Sequence, residues 1–239
     1  METAMAEAGA FMMMDDGIQM ETIFGDGSAQ QNNGLLGKLF SAGKRLVVGE
    51  SLFMTAYTNI GTGKKHVSFA APYPGKIIPL DLSKLGGRVI CQKDAFLCAA
   101  KGVSIGIEFQ KKLGTGLFGG EGFIMEKLEG DGMAFVHAGG HVMERELQPG
   151  ELVKIDTGCI VGFTSSVDYD IQFIGGIKNA IFGSEGVFFA TLRGPGTVWI
   201  QTLPISRLAS RILAYGTYKR KEEGSILGGL GNLLDGDGI

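Results

Sequence analysis

Proline is scarce, at 6 residues in 239, and cysteine and histidine number 3 each. So few prolines, with no G-x-y period, exclude a collagen-like chain despite 40 glycines. Cys91, Cys98 and Cys159 lack the paired spacing of a zinc site, and an odd count argues against a disulfide framework. They read as buried free thiols of a chain in a reducing, cytoplasmic compartment. Positive charge is not in surplus: 22 Lys and Arg against 25 Asp and Glu leave a net charge of −3. Non-specific nucleic-acid binding needs the opposite balance, so nucleic acid is not an expected partner. No apolar run approaches the roughly 18 residues that a membrane-spanning helix needs. Nor does the start carry the basic and apolar regions of a signal peptide, since the first basic residue is Lys38.

What the chain does have is apolar content, at 44%, and glycine. Many short strands joined by tight turns use glycine this way, because turns with positive φ favour it. The glycines also mark a repeat. "LFGGEGFIMEKLEGDGMAFV" (117–136) lies without a gap over "IFGSEGVFFATLRGPGTVWI" (181–200), 64 residues on. A looser copy, "LVVGESLFMTAY" (46–57), stands upstream. The intervening stretches 8–22, 94–108 and 157–171 also align, and "PGKIIPLDL" (74–82) resembles "GGHVMEREL" (139–147). The expected fold is therefore all-β: one domain over 1–215 built from three tandem sandwich- or barrel-like units, about 1–85, 86–150 and 151–215. A pseudo-threefold arrangement would let each unit cover its neighbours' edge strands. The methionine-rich runs 11–14 and 124–127 are expected to fill the core.

After Thr202 the pattern changes. Ile205, Leu208, Ala209, Ile212 and Leu213 follow the spacing of an amphipathic helix near 205–214, entered at Pro204 and stopped at Gly216. It is expected to pack across the β-core, ahead of a glycine-rich tail over 216–239. At the other end "METAMAEAG" aligns with "GELVKIDTG" (150–158), which is entered from a strand ending "ELQPG" (146–150). An extra strand ahead of the first unit, in the natural chain or its ancestor, is the corresponding expectation.

Candidate chemistry is sparse. His137, His141 and Glu146 resemble the first metal motif of cupins, in which two histidines and a carboxylate hold a divalent ion. The cupin pattern, however, separates its first histidines by one residue rather than three, and the repeat puts Gln201 in place of His137. The glycine turns lack the G-x₄-G-K-[ST] pattern of a phosphate loop, and there is no G-x-S-x-G elbow. Glu50, Glu121 and Glu185 recur at one position in every copy. They either accept backbone N–H bonds at a glycine turn, the favoured reading, or face one another across an axis. No catalytic residue, cofactor or metal is expected, and the chain is not expected to be an enzyme.

The stretches "AEAGAFMMMDDGIQMET", "GKRLVVGESLFMTAYTN", "PGKIIPLDL", "LFGGEGFIMEKLEGDGMAFVHAGG" and "VFFATLRGPGTVWIQTLP" resemble a bacterial and archaeal family of unknown function over about residues 4–215. That family is related to the fungal "altered inheritance of mitochondria" biogenesis protein. The resemblance implies several β-units in one chain, a fold like that of the tryptophan RNA-binding attenuation protein, and an upstream strand closing on L-x-P-G-E. It also implies a link to membrane organisation, with no catalytic residues to carry over. The expected function is a non-enzymatic β-scaffold that binds a protein partner or a small ligand, with peripheral membrane contact and self-association among its options. An attenuator-like RNA-binding regulator, using Arg207, Arg211, Lys219, Arg220 and Lys221, and a cupin-like metalloenzyme are the alternatives.

Overall fold

Apolar runs of five or so residues cut by glycine turns cannot build long helices, and the chain uses them as strands. The computed structural model describes residues 2–24, 53–111, 123–173 and 188–215, with one α-helix, α1 (205–215). The first strands are β1 (Thr3–Glu7), β2 (Phe11–Met14), β3 (Ile18–Phe24), β4 (Phe53–Asn59), β5 (Val67–Phe69) and β6 (Gly75–Asp81). Next come β7 (Arg88–Gln92), β8 (Phe96–Ala100), β9 (Ser104–Lys111), β10 (Phe123–Glu129), β11 (Met133–Gly139) and β12 (Val142–Leu147). The last are β13 (Leu152–Asp156), β14 (Ile160–Thr164), β15 (Asp168–Phe173), β16 (Phe188–Arg193) and β17 (Gly196–Gln201).

One antiparallel pairing rule runs along the chain. β1 pairs with β4, β7 with β10 and β13 with β16. β3 joins β4, β9 joins β10 and β15 joins β16. β2 joins β5, β8 joins β11 and β14 joins β17. Two further pairings link successive groups: β1 with β8 and β7 with β14, then β6 with β11 and β12 with β17. The result is a first sheet β3-β4-β1-β8-β11-β6 and a second sheet β9-β10-β7-β14-β17-β12. By the same rule β15-β16-β13 would continue into β2-β5. Those two pieces are separate sheets among the described residues.

The register explains the turns. Between β10 and β11 the chain reverses at Gly130, whose φ of +146° a side chain rarely adopts. Gly75 opens β6 for a different reason: a Cβ there would overlap the Ala138 carbonyl oxygen of β11.

Three cores lie between the layers. The largest joins the first two sheets through Leu80, Leu82, Phe96, Leu128, Val136 and Trp199. A second, around Phe123, Ile160, Phe163 and Leu192, joins the second sheet to β13, β15 and β16. The third is small: Ala6, Tyr57 and Leu97 meet Ala10 of the β1–β2 turn and half-buried Val67 and Phe69 of β5.

Three expectations need correction. The run 124–127 does enter the core, with Ile124 and Met125 buried, but β2, "FMMM", is exposed along its whole length. Its counterparts by pairing, β8 and β14, are almost wholly buried because strands flank them on both sides. β2 has β5 alone. Second, α1 is held at its first turn, where Pro204 is buried and Arg207 bonds Asp156 at 3.1 Å. Exposure rises along it until Leu213 is 71% exposed, so the apolar stripe does not pack across the core. An anchor at one end does not hold a whole helix against a sheet. Third, Cys91 and Cys98 are buried, but Cys159 is half-buried.

Candidate functional site

A cleft of about 840 Å³ opens beside the small third core. Its floor is the outer face of the first sheet, with Ala4 of β1, Leu97 and Cys98 of β8, and Phe135 and Met133 of β11. Tyr57 and Ile18 close one side, and Lys65, Val67 and Phe69 form the wall along β5. Exposed Glu2 and Lys101 and half-buried Lys65 bring charge to a mainly apolar lining. Alternation along the strands produces this surface: Met5 points into the large core while Ala4 and Ala6 face outward. Burial raises the pKa of the Tyr57 hydroxyl above its usual value, partly offset by its bond to Thr55.

The wall is thin because one layer is incomplete. In the register, Met20 of β3 lies opposite Tyr57 as Ile105 of β9 lies opposite Leu128. Ile105 is 4% exposed and Met20 is 44% exposed. The leucines Leu80 and Leu82, in and just after β6, share the core of Ile105. No described segment places such a group over Met20.

The residues that resemble a metal motif are dispersed. His137 sits in β11, in the first sheet, 1% exposed. His141 is exposed, with its backbone N–H donated to Thr202 Oγ1 at 2.9 Å. Glu146 lies on β12 in the second sheet, exposed, and accepts from Thr197 Oγ1 at 2.5 Å. Among the described residues no group of three His, Cys, Asp or Glu is placed to hold a metal. Glu50, Glu121 and Glu185 lie outside the described residues, as do Lys219, Arg220 and Lys221. Of the basic patch, Arg207 is engaged with Asp156 and Arg211 is exposed.

Of the two histidines, His137 is the buried one. Its ring meets Tyr73 edge-on at 4.3 Å, and among the described residues neither ring nitrogen has a hydrogen-bond partner. Burial, the larger effect, lowers its pKa, opposed by a Tyr73 main-chain contact that falls short of hydrogen-bond geometry. The repeat partner Gln201 is satisfied at both ends: Oε1 accepts from Gly139 N at 2.8 Å and Nε2 donates to Gly158 O at 2.9 Å. The +64 alignment already placed these two polar side chains at one position. It could not show that the position is buried.

Sequence reasoning passed over two acids, one half-buried and one buried. Glu7, at the end of β1, has its pKa raised to about 7, first by burial and then by Asp94, with Lys93 opposing. Glu126 is 1% exposed and stands opposite Cys91 across β10 and β7. Burial raises the Cys91 thiol well above its usual value, and Glu126 adds to the shift. Burial alone takes Cys98, in the cleft floor, to about 12. These thiols stay protonated, so they are poor nucleophiles. A smaller hollow of about 310 Å³ beside Ser166 and Asp168 contains Arg88, which is already paired with Glu108 and Glu129.

The family model described as "Mitochondrial biogenesis AIM24" matches residues 1–203. The chain belongs to the AIM24 mitochondrial biogenesis family. An uncharacterized protein of Streptococcus pyogenes serotype M6 is 34% identical over 183 residues, covering 75% of this chain and 71% of that one. An X-ray crystal structure of a Streptococcus pyogenes protein superposes with a TM-score of 0.69 at 23% identity. It covers 90% of this chain and 89% of that one, which establishes a shared fold. Among the described residues no helix is long and apolar enough to cross a membrane.

Proposed function

We propose that this AIM24-family chain is a non-enzymatic β-scaffold whose cleft beside β5 binds a partner or a small apolar ligand. The observation that carries the reading is the cleft itself: about 840 Å³, floored by Leu97, Cys98 and Phe135 and walled by Val67 and Phe69. A concave, mainly apolar lining with a few charged groups is the usual form of a ligand site. Its one thiol, Cys98, is held protonated, and its charged groups sit on exposed or half-buried chain rather than facing one another across a buried centre. The link of the family to membrane organisation, by analogy with its fungal relative, enters through whatever the scaffold holds. Free thiols at Cys91, Cys98 and Cys159 accord with a reducing compartment such as the cytoplasm.

The test is saturable binding of 8-anilinonaphthalene-1-sulfonate, an apolar anionic probe, to the native protein. Ala4 lines the floor, so Ala4→Trp projects an indole into the cleft. One probe per chain, with affinity lost in Ala4→Trp and native circular dichroism retained, supports the reading. Equal binding to both proteins, or none to either, defeats it.

A further inference from the structure

Each six-stranded sheet consists of two half-sheets joined at one pair of strands. β3-β4-β1 joins β8-β11-β6 through β1 and β8, and β9-β10-β7 joins β14-β17-β12 through β7 and β14. Two half-sheets remain, β15-β16-β13 and β2-β5. Each carries a joining strand. β13 pairs with β16 as β7 does with β10, and β2 pairs with β5 as β8 does with β11. Both joining strands are among the described residues, and they are not paired with each other. Packing separates them. β5 covers the third core on the outer face of the first sheet. The large core lies between the first and second sheets, and the second core between the second sheet and β13, β15 and β16. The two half-sheets are thus opposite outer layers of one stack. Exposure agrees: Met13 of β2 is 58% exposed, whereas Cys98, its counterpart in β8, is buried.

The joint between two such halves has a fixed register. The ladders β8–β11, β14–β17 and β2–β5 each skip one residue, Leu97, Val161 and Met12 in turn. This bulge aligns Met13 with Cys98 and Gly162, and Met14 with Ala99 and Phe163. Cys98 and Ala99 stand opposite Ala6 and Met5, while Gly162 and Phe163 stand opposite Cys91 and Ile90. The 64-residue offset carries Cys91 and Ile90 onto Ile155 and Lys154 of β13.

We propose that copies of this chain join head to tail, β13 of one copy lying antiparallel to β2 of the next, with Ile155 opposite Met13 and Lys154 opposite Met14. Three strands of one copy and two of its neighbour then make a single sheet. The exposed apolar strand β2 becomes an interior strand, as β8 and β14 already are. An uncovered apolar edge favours such pairing. Charge fits the register as well. Exposed Lys154 and exposed Asp16 fall at diagonal positions on one face, within reach of a long side chain. The two surfaces differ, so the contact is heterologous, and its repetition closes a ring or extends a filament. This association is independent of the cleft.

Two variants, Met14→Cys and Lys154→Cys, each in a Cys159→Ser background and each with a different affinity tag, are co-expressed and oxidised with diamide. Residues directly opposite in a ladder lie within the Cα separation of a disulfide. A disulfide between the two differently tagged chains, located by mass spectrometry, is expected, and none in either variant expressed alone. Absence of the mixed disulfide would overturn the proposal. So would a Met14→Cys/Lys154→Cys double variant that forms the bond within one chain, because the half-sheets would then close on themselves. Light scattering of the native chain gives the second readout, with a mass above that of a single chain expected. Met13→Lys places a charge opposite Ile155 and should weaken association at least tenfold while the native circular dichroism is retained. A monomeric native chain, or an assembly indifferent to Met13→Lys, would also overturn it.

Discussion

Replacing Glu7 by Gln should stabilise this protein, and by an amount that depends on pH. Glu7 ends β1, beside Asp94 and Lys93, where burial and the Asp94 charge raise its carboxyl from 4.5 to about 7. Between those two values the folded state holds a proton that the unfolded state releases. The contribution of this group is therefore most favourable below pH 4.5 and is lost as pH rises through about 7. Full linkage over that interval corresponds to about 3 kcal/mol. Because Glu7 is half-buried rather than sealed, solvent screening reduces the expected value to about 1–2 kcal/mol. Glutamine keeps the shape and removes the ionisation. Urea unfolding at pH 4.5, 6 and 8, with linear extrapolation, measures the difference directly. The two proteins should be nearly equal at pH 4.5, with Glu7→Gln ahead by about 1–2 kcal/mol at pH 8. A difference that stays constant across that range, or a variant less stable at pH 8, refutes the argument.

Three further outcomes can be checked. Burial holds His137 neutral, so its contribution to stability is present above about pH 6.5 and falls as pH drops below it, when the unfolded chain takes up a proton first. Urea midpoints between pH 7 and 5 should lose part of their acid slope in His137→Gln. Leu97 of β8 and Met12 of β2 occupy matching strands, but Leu97 is buried and Met12 is 61% exposed. Leu97→Ala should cost about 2–4 kcal/mol in thermal or urea unfolding, and Met12→Ala less than about 0.5 kcal/mol. Native-state alkylation with iodoacetamide, followed by mass spectrometry, should label half-buried Cys159 before Cys91 or Cys98, whose thiols burial keeps protonated.

Much of the strand layout was legible because glycine marks it. The 64-residue offset carries Leu128 of β10 onto Leu192 of β16, both fully buried, and Val89 of β7 onto Val153 of β13. In each case the valine stands opposite the leucine in the register. The run 124–127 was expected to fill the core, and Ile124 and Met125 do so. The candidate site was far less legible. It is assembled from Ala4, Tyr57, Val67, Leu97 and Phe135, residues of five strands, and each of them alone reads as ordinary core. The histidine motif was misleading for a related reason. Spacing along the chain cannot tell that His137 belongs to the first sheet and Glu146 to the second.

The sequence by itself determined that this chain forms short strands with glycine turns and a helix after Pro204. Local alternation, turn conformation and helical spacing are properties of neighbouring residues, and they survive in any tertiary context. Tertiary structure alone decided which apolar strands are covered. "FMMM" and "FLCAA" are equally apolar, but β8 lies between β1 and β11, whereas among the described residues β2 has only β5 beside it. Burial depends on what the rest of the chain brings alongside a strand, and that decided where the cleft lies.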